Sequence, residues 1–204
     1  DDPRLDNSLE STIIRYIDGK RFMFLTNMYS EFLCVYRFDG EIAVPCAFFT
    51  VAWDGQWEKY SWQKDKRPKL PDVEGNRWLW RDNNGDGQVQ KDEFTTYNLG
   101  YPHIKGIDID KNGNVYLGSR FLCYFSANGL DKNGVPNYSA TTMERTNAPF
   151  AYSGGDMTRI KYVDETDIMY FGTGEGFPYF SDIIRFRNWS KGERVADTLH
   201  IGKQ

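Results

Sequence analysis

Between Arg81 and Phe94 the chain reads RDNNGDGQVQKDEF, and its oxygen-bearing side chains fall at fixed intervals. Counting Asp82 as position 1, Asn84 is at 3, Asp86 at 5, Gly87 at 6, Gln88 at 7, Gln90 at 9 and Glu93 at 12. This is the spacing of an EF-hand calcium loop. Calcium takes six to eight hard oxygens at about 2.3–2.6 Å, so a single loop must wrap around the ion to supply them. In this frame Asp82, Asn84 and Asp86 offer side-chain oxygens and Gln88 its backbone carbonyl. Gln90 acts directly or through water, and Glu93 closes the site with both carboxylate oxygens. Gly87 permits the sharp turn, and Val89 is placed to pin the middle of the loop to a core. The stretch NNGDG alone would be an ordinary turn; an acid at position 12 makes the set specific. The expected ligands are therefore Asp82, Asn84, Asp86, Gln88 and Glu93, and the expected cofactor is calcium.

The elements around the loop are unusual for such a site. The residues before it, NRWLWRD, read as a β-strand rather than an entering helix, and QKDEFTTY allows at most a short helical turn after it. With no second loop and no Met-rich groove in this sequence, a paired calcium sensor is not expected. The expected role is structural, with calcium stiffening a long turn. A second acidic stretch, DIDKNGNVY, starts similarly with Asp108, Asp110 and Asn112. It carries Ser119 where the closing acid should be, so it is read as a hairpin turn.

Composition agrees with a β protein. Aromatic residues are 16% of 204, and there are 19 glycines, a mixture suited to pleated strands joined by frequent turns. The net charge of -4 argues against a non-specific nucleic-acid or anionic-membrane binder. No stretch approaches the roughly 20 apolar residues of a membrane helix, so no membrane insertion is expected. The chain opens DDPRLDNS with no apolar leader and reads as a mature, trimmed or partial chain. Three cysteines, Cys34, Cys46 and Cys123, do not make a disulfide scaffold.

Laid on itself, the chain repeats. Stretches beginning at Ile13, Ile107 and Ile160 each read as four strands joined by polar turns. The first interval is about twice the second, so one more unit of roughly 47 residues fits between them, and the calcium-like loop falls there as an expanded outer turn. Four strands per unit at this period is the pattern of β-propeller blades, because one such sheet cannot bury both faces alone. An all-β sandwich remains the alternative. The expectation is an all-β fold of about four propeller-type units over residues 13–204, with residues 1–12 as a lead-in and the loop at 82–93.

The stretches WLWRDNNGDGQVQKDEF, GIDIDKNGNVYLGS and GEIAVP resemble secreted bacterial β-propellers of the NHL-like type, in which an EF-hand-like loop can interrupt a blade. The resemblance covers most of the chain from Ile13, although only the calcium loop is a specific motif. Such propellers usually have six or more blades, so this chain is expected to be either a compact four-bladed ring or part of a larger propeller; the part is favoured, because units at the ~47-residue spacing leave no obvious closing strand. The resemblance further implies an extracytoplasmic protein, periplasmic or secreted. The reading it supports is a calcium-stabilised binding or assembly module whose partners are another protein or the remaining blades. Two alternatives stay open: a propeller enzyme acting on polysaccharide, with a glycan ligand, and a propeller subunit of a redox complex.

Other chemistry-bearing residues carry weaker signals. His103 and His200 are too few for a His-rich zinc site, although His103 with Tyr101 and Lys105 could line a channel. Acid pairs Asp164/Glu165 and Glu175/Asp182 are candidates for hydrolysis or surface charge. The glycine-rich GTGEGFPYFSD lacks the lysine and helix of a phosphate loop. Cys34 and Cys123 occupy matching places in two units and are expected to be buried packing residues. A two-residue Asp39-Gly40 turn would pair Cys34 with Pro45 and put Cys46 on the opposite face. Asn137 and Asn188 begin glycosylation sequons.

Overall fold

The structure is a computed structural model that describes residues 9–27, 32–50, 78–97, 106–118, 121–147, 156–174, 183–192 and 195–199. The described residues are mostly β-strand. All strands pair antiparallel with their neighbours in sequence, giving three meandering sheets. The first has six strands: β1 (Leu9–Ile17), β2 (Lys20–Asn27), β3 (Phe32–Asp39), β4 (Ile42–Thr50), β5 (Trp78–Arg81) and β6 (Phe94–Thr96). The second has β7 (Gly106–Ile109), β8 (Val115–Gly118), β9 (Phe121–Phe125) and β10 (Glu144–Asn147). The third has β11 (Asp156–Val163), β12 (Ile168–Gly174), β13 (Ile183–Arg187) and β14 (Val195–Leu199). Helix is confined to two single 3-10 turns, Lys91–Glu93 and Asp164–Thr166, among the described residues. The described strands close no barrel.

The sheets stack face to face, and strand alternation explains how. In β3, Leu33 and Val35 join Phe22 and Phe24 in a core shared with Val115, Leu117, Cys123 and Phe125 of the second sheet. The intervening Phe32, Cys34 and Tyr36 point the other way into a separate cluster with Phe48 and Trp80. Successive side chains of a strand leave on opposite faces, so β3 is buried on both. Phe49 closes the first core edge-on against Phe125, with ring centres 5.0 Å apart. The second sheet turns Tyr116 and Leu122 toward Met157, Ile160, Met169, Phe171 and Phe186 of the third.

Polar clamps tie the layers together. From β1, the Arg15 guanidinium donates to the Ile109 carbonyl at 2.6 Å and the Asp110 carbonyl at 2.9 Å. Between the second and third sheets, the buried Asp108 carboxylate accepts from the Tyr162 N–H at 2.7 Å and from Lys161 at 3.1 Å.

Several expectations need correction. The four anticipated units form three sheets among the described residues. Of the supposed second unit, the described residues form the β5–β6 hairpin, which extends the first sheet by pairing Ala47 with Arg81, Phe48 with Trp80 and Phe49 with Leu79. The physical reason is the free edge of β4, whose backbone groups need partners. β1 starts at Leu9, and residues 1–8 of the expected lead-in lie outside the described residues. The first outer turn is Gly40-Glu41, because Asp39 pairs with Ile42. Pro45 consequently faces Tyr36, and Cys34 faces Phe48. The ladder shifts at Cys46, a β-bulge directly after a proline that cannot donate. The bulge puts Cys46 and Ala47 both in the first core, while Cys34 lies in the other cluster. None of the three cysteines forms a disulfide, and all are buried. In the second sheet β9 and β10 are joined by a long loop, 126–143, that is closed by a bridge between Leu130 and Pro136.

Candidate metal centre

The loop at 82–93 spans the β5–β6 hairpin, whose strands pair Trp78 with Thr96 and Trp80 with Phe94. Its first residue is fixed by the first sheet: the Asp82 N–H donates to the carbonyl of the bulged Cys46 at 3.0 Å. Its last is the end of the 3-10 turn Lys91–Glu93. The entering element is a strand and the leaving one a single helical turn, as the sequence suggested.

Inside the loop the side chains turn inward on the backbone. The Asp82 carboxylate is fully buried and accepts the Gly85 N–H at 2.8 Å and the Gly87 N–H at 3.0 Å. Glu93, 4% exposed, accepts the Asn83 N–H at 2.9 Å, the Trp80 indole N–H at 2.8 Å and the Gln90 N–H at 3.3 Å. Asp86 is exposed. It accepts from the Gln88 N–H at 2.7 Å and the Gln90 side-chain amide at 2.8 Å, and the Gln88 N–H holds its carboxyl below the usual carboxylate range. The Asn84 carbonyl oxygen accepts the Asp86 N–H at 2.9 Å. Val89 packs on the cluster that contains Trp80 and Tyr36.

Asp82 and Glu93 are thus two buried carboxylates in one short loop, neither with a lysine or arginine partner among the described residues. Burying an anion costs several kcal/mol unless it is paired or ligates a metal. The Glu93 N–H goes to the Gln90 backbone carbonyl at 3.3 Å, and Gln90 Oε1 is buried with no partner. The donor set is all oxygen, which suits a hard cation. In this conformation the three carboxylates are held by separate N–H partners. Among the described residues no three His, Cys, Asp or Glu side chains gather closely enough to hold a metal.

The loop is clamped from three sides by residues the sequence frame did not single out. Arg37 of β3 donates to the Gly85 carbonyl at 2.7 Å. Asn133, in the long loop of the second sheet, donates to the Asn83 carbonyl at 3.0 Å. Arg81 spans both loops, donating to Asn83 Oδ1 at 2.7 Å, the Pro136 carbonyl at 2.8 Å and the Asp131 carboxylate at 2.6 Å. Gly85 and Gly87 have positive φ, +84 and +72 degrees, and a Cβ on either would stand 2.8 Å from Asn133 and Val44 respectively. The loop is therefore glycine-dependent for both conformation and close approach. Trp80 was readable only as a strand residue; its indole N–H orients the closing glutamate.

The remaining candidates are dispersed. Asp110 caps the β7–β8 turn, accepting the Asn112 and Asn114 N–H groups at 2.9 Å each, so this stretch is a hairpin turn as expected. Asp164 lies in the β11–β12 turn and accepts the Lys111 N–H at 3.2 Å. Asn137 is half-buried and its amide oxygen accepts from Arg81 at 3.0 Å. Asn188 is exposed. Tyr101, His103, Lys105, Glu175, Asp182 and His200 lie outside the described residues. No helix among the described residues is long and apolar enough to cross a membrane.

No protein-family model matches this chain, and no curated protein matches it. Among solved structures, a chain from the crystal structure of the mitotic checkpoint complex aligns over 98% of this chain and 54% of its own length. The identity is 12% and the TM-score 0.36. This chain thus spans about half the length of that one.

Proposed function

We propose that the chain is a calcium-stabilised, propeller-type segment of an extracytoplasmic protein, serving as a binding or assembly module. The observation that carries the calcium part is the pair of buried, cation-free carboxylates Asp82 and Glu93 at positions 1 and 12 of a complete EF-hand frame. Asp82, Asn84, Asp86, Gln88 and Glu93 would hold the ion. Binding would turn Asp86 and Glu93 away from their N–H partners. The ion would neutralise the buried charge and lock the hairpin to the clamps from Arg37, Arg81 and Asn133. The propeller part is supported by three sequential antiparallel meanders stacked face to face, the layout of neighbouring blades. The affinity expected for such a module is in the extracellular range, about 0.1–1 mM.

Titration calorimetry on chelator-treated protein tests this directly. Calcium should bind once, and the melting temperature should rise with calcium. A ligand specific for the native state adds about 2.7 kcal/mol at 100-fold excess over its Kd. Glu93→Gln should abolish most of that rise. The absence of both heat and a melting shift at millimolar calcium would sink the assignment. A loss of partner binding with unchanged stability in Asp82→Ala would instead move the metal into the functional site.

A further inference from the structure

Away from the metal loop, the second and third sheets leave a cleft of about 220 Å³ between them. Its floor is set by register. Tyr116, Tyr124 and Glu144 face one another across β8, β9 and β10 in a single row, and Leu122 and Thr146 form the next. Alternation sends the neighbouring side chains to the opposite face: Cys123 lies in the first core, and the Arg145 guanidinium stacks 4.0 Å over Phe121. Trp189 and Ser190, from the turn after β13, complete the lining.

The chemistry of this lining is one-sided. Among the described residues it contains no lysine or arginine. The nearby Lys161 and Lys111 are engaged with Asp108 and Asp164. Glu144 is exposed at the rim and has no ion pair among the described residues. A second carboxylate, Asp110, lies behind the row, 3.4 Å from the Tyr116 hydroxyl. Burial first, and the Asp110 charge after it, raise the Tyr116 phenol. Burial likewise raises Tyr124. Both rings therefore stay neutral with electron-rich faces. Their centres are 5.1 Å apart and their planes tilted by 48 degrees, a corner rather than a flat platform. Thr146 Oγ1 is shut off from solvent with no partner, an incomplete feature of a buried polar site.

We propose that this cleft binds an alkylammonium head group, such as a lysine side chain or a small amine. Glu144 supplies the counter-charge, the Tyr116–Tyr124 corner supplies the π faces, and Leu122 and Trp189 cover the hydrocarbon stem. A cation over aromatic faces gains most where water is excluded. The volume is below the roughly 300–1,000 Å³ of drug-sized sites, so the ligand is a single head group. A sugar ring would need a flat aromatic face, which the tilted pair does not offer.

The full 204-residue chain should be titrated with butylammonium and, separately, with methyl glucoside, following tyrosine ring signals by NMR. Butylammonium should saturate. Glu144→Gln and Tyr124→Ala should each weaken it by about fivefold or more, with circular dichroism unchanged. Because Glu144 is exposed, its variant tests binding without threatening the fold. The proposal is overturned if butylammonium shows no saturation up to about 50 mM, well beyond a millimolar Kd, or if both variants bind as the parent does. Saturation by methyl glucoside alone overturns it equally and assigns the cleft to sugars.

Discussion

Two turns of this protein share the tetrapeptide Asp-Lys-Asn-Gly, at 110–113 and at 131–134, and they are built alike. In each, the aspartate carboxylate accepts the N–H groups two and four residues on, at 2.9 and 2.9 Å in the first and 2.8 and 3.0 Å in the second. In each, the glycine N–H returns to the aspartate carbonyl, at 3.1 and 3.0 Å. The difference lies at the second carboxylate oxygen. Asp131 presents it to Arg81 at 2.6 Å, whereas Asp110 presents it to the Asn114 amide at 2.9 Å and the Tyr116 hydroxyl at 3.4 Å. Burial raises the Asp110 carboxyl despite the Asn114 bonds, and the Asp164 charge adds to the rise. Burial acts the same way on Asp131, but the Val135 N–H and Arg81 outweigh it and hold that carboxyl low. Four residues suffice to fix a backbone turn. What the turn does electrostatically is decided by residues that come from other strands.

The largest expected difference between the two turns comes from their glycines, at φ +81 and +75 degrees. A Cβ on Gly113 would meet the buried Ile17 side chain at 2.2 Å, whereas one on Gly134 would meet the mobile end of Lys20 at 2.9 Å. Gly113→Ala should cost about 3–4 kcal/mol, from left-handed strain plus overpacking. Gly134→Ala should cost only the strain, about 1–2 kcal/mol. Urea denaturation of the pair measures the gap, and equal losses would break the comparison. Next in size is Arg81→Ala, which removes the tie between the loop at 82–93 and the Asp131 turn and should cost about 2 kcal/mol. A double-mutant cycle with Asp131→Asn should show coupling of about 1 kcal/mol, and no coupling is expected between Arg81 and Asp110.

The smallest effect is in the pH dependence, and its sign differs between the turns. Asp131 is depressed in the folded state, so its stabilisation is present above the unfolded value, about pH 3.9, and is lost as pH falls through the folded value. Asp110 is raised, so its contribution is full below about pH 3.9 and fades as pH rises through the folded value. Asp131→Asn should therefore make the acid limb of the stability curve shallower. Carboxyl carbon shifts should place the two midpoints on opposite sides of an ordinary aspartate. Coincident midpoints would contradict the assignment.

Much of the fold was legible because it rests on local rules. The alternation in β2 and β3, the hairpin turn at Asp110 and the strand, loop and helical turn from Trp78 to Glu93 are all contained in short windows of sequence. The illegible parts are contacts between distant windows. That β5 joins β4 across residues 51–77 depends on which sheet edge is free, and no periodicity reports that. The Cys46 bulge depends on Pro45 meeting Tyr36, so a turn register wrong by one residue hid it. Arg37, Arg81 and Asn133 read as ordinary polar residues; only packing shows that they hold the loop at 82–93. The cleft row Tyr116–Tyr124–Glu144 likewise exists only once three strands are in register.

The three cysteine thiols, none in a disulfide, are distributed unevenly through the layers. Cys46 and Cys123 lie in the core between the first and second sheets, Cys34 lies on the far face of the first, and the third sheet has none. An alkylating reagent therefore acts as a layer-specific clock. Parting of the third sheet from the second bares Met157 and Met169 but no thiol and goes unrecorded, while an opening that reaches the first core is marked irreversibly. Comparing labelling rates with loss of the Trp189 environment would show whether the layers separate one at a time or all together.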